Sequence, residues 1–126
     1  MTQLALALFV DDRASRFVSC TEKYQGRLII HYASTCEHAK QMIEIGNYEF
    51  IFLDHDLGEC EMLDHTDPEQ RKMTIWPLVD WIVENSQSFK EVEFIVHSLN
   101  PEGRKQVVRT LESKDLVAHD RPFIWT

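Results

Sequence analysis

Three short groups hold the residue types that chemistry needs: Asp11-Asp12, Asp54-His55-Asp56 and His97-Ser98-Leu99-Asn100. Carboxylates gathered in one crevice repel one another and raise each other's pKa unless a cation sits among them. Hard oxygen ligands of this kind suit Mg²⁺ or Mn²⁺, and nearby imidazoles shift the preference toward Mn²⁺, Fe or Zn²⁺. Asp11, Asp12, Asp54 and Asp56 are therefore expected to hold a divalent metal ion, with Mg²⁺ or Mn²⁺ favoured over Zn²⁺. His55 and His97 are the expected catalytic pair. One imidazole would activate water while the other protonates the leaving oxygen, as phosphodiester cleavage or the opening of a cyclic phosphate requires near neutral pH. Taken singly, each group has a plainer reading. An acidic pair can cap a helix, and a histidine can simply end a strand.

A seat for the phosphate is expected where Asn100-Pro101-Glu102-Gly103-Arg104-Lys105 opens a helix. Free backbone N–H groups at a helix start, a small Gly103 and a cationic Arg104 suit an anion. Ser98, Asn100, Gly103 and Arg104 are the phosphate-binding candidates, and Arg121, ahead of Pro122, could add positive charge to the same crevice. The same N-P-E-G stretch also reads as an ordinary helix cap. His31, His38 and His119 read as surface residues, Asp64, His65 and Asp67 as part of a solvated loop, and Trp76, Trp81 and Trp125 as packing.

These groups meet only if the elements before them lie side by side. Leu4–Val10 is a continuous apolar run, which suits a strand covered on both faces. Phe17, Val18, Thr21 and Tyr24 follow at helical spacing, closed by Gly26, and Leu28–His31 reads as a second strand. Ser34 and Glu37 form a capping box ahead of Ala39, Met42 and Ile43, and Glu49–Leu53 reads as a third strand. Leu57–Lys72 has no periodicity and reads as a long loop, a kind of segment that is usually functional. Pro77 starts a third helix with Leu78, Val79, Ile82 and Val83 on one face, and Glu91–Val96 is a fourth strand. Val107, Val108 and Leu111 line a fourth helix. The last strand is either Leu116–His119 or Pro122–Trp125, and aromatic and β-branched content favours the second. Alternating β and α units predict an α/β fold with a parallel sheet, whose ligand site lies at the carboxyl ends of the strands beside the switch in strand order.

The 126 residues fit one domain spanning 1–126, and a hydrophobic content of 44% supports a packed core. A net charge of −8 argues against bulk binding of nucleic acid, which needs clustered Lys and Arg. No apolar run approaches the ~18 residues of a membrane span, and no signal peptide is expected. Cys20, Cys36 and Cys60 are scattered without a CxxC spacing, which argues against a zinc ribbon or a disulfide scaffold and favours a reduced, cytoplasmic setting.

The apolar strand before Asp11-Asp12, the strand before Asp54, the strand before Ser98 and the late Arg121-Pro122 together resemble the two-component receiver domain. In that family an acidic pair binds Mg²⁺, the strand-three Asp accepts phosphate, a strand-four Ser or Thr switches, and a Lys-Pro follows. Here Arg121 stands in the Lys position and His55-Asp56 follows the acceptor. Leu53-Asp54-His55-Asp56-Leu57-Gly58, paired with His97-Ser98-Leu99-Asn100-Pro101-Glu102-Gly103, is still closer to a receiver-derived group, the cyclic-phosphate-processing receiver-like domains of bacteria and their phages. The resemblance implies a receiver-like, flavodoxin-like three-layer sandwich: a five-stranded parallel sheet with about four helices and the last helix missing. It also implies a metal-assisted phosphoesterase, a hydrolase acting on a small cyclic phosphate such as a nucleotide or RNA-end derivative. Two rival expectations are a receiver-like switch with Asp54 as phosphoacceptor and an acidic module, for instance phage-encoded, that occupies a protein partner.

Overall fold

A computed structural model of the chain describes residues 4–54, 66–98 and 100–121. Its first strand, β1 (Ala5–Val10), is buried from Ala7 onward, as a strand with helices on both sides must be. The chain then runs through α1 (Ala14–Lys23), β2 (Leu28–Ala33), α2 (Cys36–Ile45) and β3 (Phe50–Leu53). After residues 55–65 come a one-turn α3 (Pro68–Arg71), α4 (Trp76–Glu84) and a 3-10 turn (Ser86–Phe89). The chain finishes with β4 (Glu93–Val96), α5 (Pro101–Glu112) and β5 (Val117–Asp120). All strand pairs are parallel, in the order β2-β1-β3-β4-β5, so the order reverses between β1 and β3. The alternating pattern predicts such a parallel α/β sheet, and its five-stranded, flavodoxin-like receiver form is the one the resemblance implies.

Side chains alternate across the sheet and split the core in two. Leu8, Val10, Ile51, Leu53, Phe94 and Val96 face α2, α4 and α5. Ala7, Phe9 and Phe52 face Cys20, Phe17 and Tyr24 of α1 and its C-cap. Gly26 turns the chain from α1 into β2 at φ 81°, a conformation that costs glycine nothing.

Several local expectations shift. The last strand of the described residues is Val117–Asp120, which overlaps the Leu116–His119 alternative; Pro122–Trp125, the segment favoured on composition, lies outside the described residues. Val-Ala-His-Asp has little strand propensity, but it pairs in register with Glu93–Val96, and a neighbouring strand outweighs local preference. The α2 cap is Thr35 rather than Ser34: the Thr35 hydroxyl accepts the His38 N–H at 3.1 Å, so the predicted Ser34–Glu37 box is displaced by one residue. The stretch read as unbroken loop contains α3, started by Pro68 and capped by Asp67, which accepts the Glu69 N–H at 3.0 Å. Among the described residues there are thus five α-helices, counting the single turn of α3, against the about four expected.

Burial of α1's inner face against the sheet pushes the Cys20 thiol up to about 12 from 9.0. The unfolded thiol ionises first, so the stability this contributes is complete below pH 9 and is lost as pH rises toward 12. Between pH 8 and 10 the denaturation midpoint of the wild type should therefore fall more steeply than that of Cys20→Ala.

Candidate functional site

Val10, Leu53 and Val96 are aligned across β1, β3 and β4, so the residues that follow them emerge side by side. The ladder continues one step beyond the strands. The Asp54 N–H donates to the Val10 carbonyl at 3.0 Å, the His97 N–H to the Leu53 carbonyl at 2.9 Å, and the Arg121 N–H to the Val96 carbonyl at 2.9 Å. Asp11, Asp54, His97 and Arg121 form a row along the carboxyl edge, two positions beyond Phe9, Phe52, Ile95 and His119 and therefore on the α1 face.

Asp11 stands at the β1 end of this row and is fully buried. One of its oxygens accepts the Arg13 N–H at 2.8 Å, which turns the chain into α1; the other lies 3.0 Å from His97 Nε2. Burial alone pushes the Asp11 carboxyl up, but its hydrogen bond and charge interaction with His97, the Arg13 amide and the Arg16 charge outweigh this and hold it below the ordinary carboxylate range. Burial pushes His97 down, against the pull of Asp11. A neutral imidazole donating its Nε2 proton to an ionised Asp11 satisfies both tendencies. The His97 ring also stacks on Phe9, with centroids 4.7 Å apart and planes at 17°. Asp12 is half-buried, and burial, the Asp11 charge and a hydrogen bond with Asp11 push its carboxyl up to about 6.

Arg16 is the member that sequence reasoning missed. Its guanidinium lies 3.5 Å from both Asp11 Oδ2 and Asp54 Oδ2, and the residue is 8% exposed. Arg16 lies in the first turn of α1, and its sequence position gives no sign that it faces Asp11 and Asp54.

The structure brings Asp11, Asp12, Asp54 and His97 together. Ligand oxygens of the three aspartates lie within 4.8 Å of one another, a donor set suited to a hard divalent cation. His55 and Asp56 lie outside the described residues. The expected phosphate seat is assembled but bonded to itself. Ser98 Oγ accepts the Asn100 N–H at 3.0 Å, and Asn100 Oδ1 accepts the Gly103 N–H at 3.0 Å, the very donor expected to be free. Arg104 Nη1 donates to the Ser98 carbonyl at 2.8 Å while Nε pairs with Asp120. Arg121 lines a groove on the α1 face. His31 bonds the Tyr48 hydroxyl and His119 bonds Glu93, while Trp76 and Trp81 pack in or against the core.

Residues 6–113 match the family model described as the cyclic-phosphate processing receiver domain. The chain belongs to that family. Solved receiver structures share its fold. A signal receiver domain from Vibrio parahaemolyticus superposes with a TM-score of 0.67 at 19% identity, covering 98% of this chain and 82% of that one. A response regulator from Thermotoga maritima gives 0.65 at 13% identity, covering 98% and 89%. The BeF3-activated DrrB receiver domain gives 0.63 at 15%, also covering 98% and 89%. At such identities the likeness establishes fold alone. No curated protein matches the sequence significantly.

His97→Phe keeps a ring over Phe9 but strips Asp11 of a buried donor, and should cost about 1–3 kcal/mol in chemical denaturation. In an Asp11→Leu background the same change should cost much less.

Proposed function

We propose that this receiver domain hydrolyses a small cyclic phosphate, of a nucleotide or RNA-end type, at the carboxyl edge of its sheet, with Asp11, Asp12 and Asp54 holding a divalent cation. The observation that supports this reading most is the convergence of three carboxylates at the β1/β3 switch point in a chain of the cyclic-phosphate processing family. The half-buried Asp12, strained by Asp11, fits such a cation, because positive charge there would relieve the repulsion. Mg²⁺ or Mn²⁺ would supply stabilisation of charge on the phosphoryl oxygens.

The residues of the chain divide the remaining work. His97 positions Asp11 instead of shuttling protons, because its Nε2 proton is committed to that carboxylate in a fully buried contact. His55, next to Asp54 in sequence, is the group proposed to move protons, and Asp56 the proposed fourth ligand. Water adds to phosphorus, one ring P–O bond breaks, and the freed oxygen takes a proton, leaving a phosphomonoester. Ser98, Asn100, Gly103 and Arg104 form the proposed phosphate seat, whose existing hydrogen bonds hold the start of α5 in place.

The purified protein with Mn²⁺ should open members of a 2′,3′-cyclic nucleotide panel, stop when EDTA is added, and lose at least about a hundredfold in rate on Asp54→Asn, the scale of removing one transition-state contact. Absence of turnover across the panel by a protein with an intact thermal transition would overturn the reading. The receiver fold favours one rival, in which Asp54 is a phosphoacceptor. That rival requires a covalent phosphate adduct after incubation with acetyl phosphate and Mg²⁺, detected by mass spectrometry and abolished by Asp54→Asn.

Arg16 already occupies the neighbourhood of Asp11 and Asp54 with positive charge. Unit charges about 4 Å apart at an effective dielectric near 20 interact by about 4 kcal/mol. Arg16→Met should therefore raise Mn²⁺ affinity at least about tenfold in a calorimetric titration.

A further inference from the structure

The two faces of the sheet are covered unequally. α2, α4 and α5 pack on one face, whereas α1 alone among the described helices packs on the other. Beside α1, over β3, β4 and β5, this leaves a cavity of about 700 Å³. Its floor is apolar and half-buried, made by Leu28, Phe50 and Ile95 over the buried Phe52, and the Tyr24 ring forms one wall. That volume is within the ~300–1,000 Å³ typical of sites for small organic ligands. A stable protein partner would need a surface of about 800 Å² on each side, far broader than such a slot.

The edge of the groove is basic, although the chain as a whole has a net charge of −8. Lys23, Arg27 and Arg121 all line it. Lys23 Nζ and the Arg27 guanidinium lie 5.9 Å and 5.2 Å from the centroid of Tyr24, so both cations are drawn to the rim by the ring. The two carboxylates of the groove are already engaged. Glu93 Oε1 lies 3.1 Å from His119 Nε2, and Asp120 pairs with Arg104 outside the lining. Among the described residues, the groove thus shows an apolar, aromatic floor with three cations at its mouth against two engaged carboxylates.

We propose that this groove is a binding site for a nucleotide-class anion. Its flat base would lie on the apolar floor against Tyr24, and its phosphate would rest between Lys23, Arg27 and Arg121. Aromatic rings offer a stacking surface to any base, and guanidinium groups match phosphate oxygens two at a time. This site is separate from the aspartate cluster and needs no metal.

The test is a titration of the ¹⁵N-labelled full chain with AMP in EDTA, with adenosine and inorganic phosphate as half-ligands. AMP should shift the amides of Tyr24, Arg27, Ile95 and His119 saturably and leave Asp12 and Arg13 unmoved. It should bind at least tenfold tighter than either half-ligand. Lys23→Glu combined with Arg27→Glu should weaken AMP at least tenfold while the thermal midpoint is retained. No saturable shift up to millimolar AMP, shifts confined to the aspartate cluster, or affinity indifferent to the double charge reversal would overturn the proposal. Binding that appears only when residues 122–126 are deleted would also overturn it, since the groove would then belong to the chain's own Phe123-Ile124-Trp125. Because EDTA removes any cation, failure here leaves the reading of the aspartate cluster untouched.

Discussion

The alignment of Val10, Leu53 and Val96 is the constraint on which the site depends. In a parallel ladder the residue after each aligned position continues at the same height. Side chains reverse face at every step, so all three successors turn toward α1. A slip of one residue in β3 would send Asp54 into the apolar layer beneath α2 and α4. The apolar side chains of Leu53 and Val96 in that layer oppose the slip, so core packing also holds the acids in place.

Within the row, burial and charge are balanced by the protein itself. Asp11 is fully enclosed and ionised because His97 from the end of β4, and the Arg13 amide and Arg16 from the start of α1, face it. Removing any one leaves a buried carboxylate under-compensated, which is costly in a medium that screens poorly. At Asp12 burial and the Asp11 charge outweigh the Arg13 charge, and its pKa is raised. The cluster is therefore self-neutralised only in part, and this is the electrostatic basis for a further cation.

Unequal cover of the sheet has its own consequence. The face that bears α2, α4 and α5 holds the larger cluster, mostly aliphatic but with Trp76, Phe89 and Phe94 in it. The α1 face carries Phe9, Phe17, Tyr24 and Phe52 in a chain of ring contacts that runs from His97 to the groove. Acidic chemistry at the carboxyl edge and a basic-rimmed apolar slot below it thus share one surface, with Arg121 belonging to both the row and the slot.

From residue order alone, the βα alternation, the end of β1, the start of α5 at the Asn100 cap and the meeting of Asp11, Asp12, Asp54 and His97 were legible, because apolar periodicity and strand-end polarity are local signals. The last strand was not. Val117–Asp120 is a strand only because β4 offers an unpaired edge, and pairing is not written in the propensity of four residues. Nor was the role of His97 legible. A strand-end histidine does not reveal in sequence that its ring stacks on Phe9 with Nε2 3.0 Å from Asp11. Arg16 and the bonded state of Gly103 belong to the same class, since hydrogen-bond partners and counter-charges are chosen by distance in space. The sequence by itself determined which residue types reach the edge of the sheet; the tertiary structure decided which of them face one another, because only packing sets the register and the direction in which each side chain points.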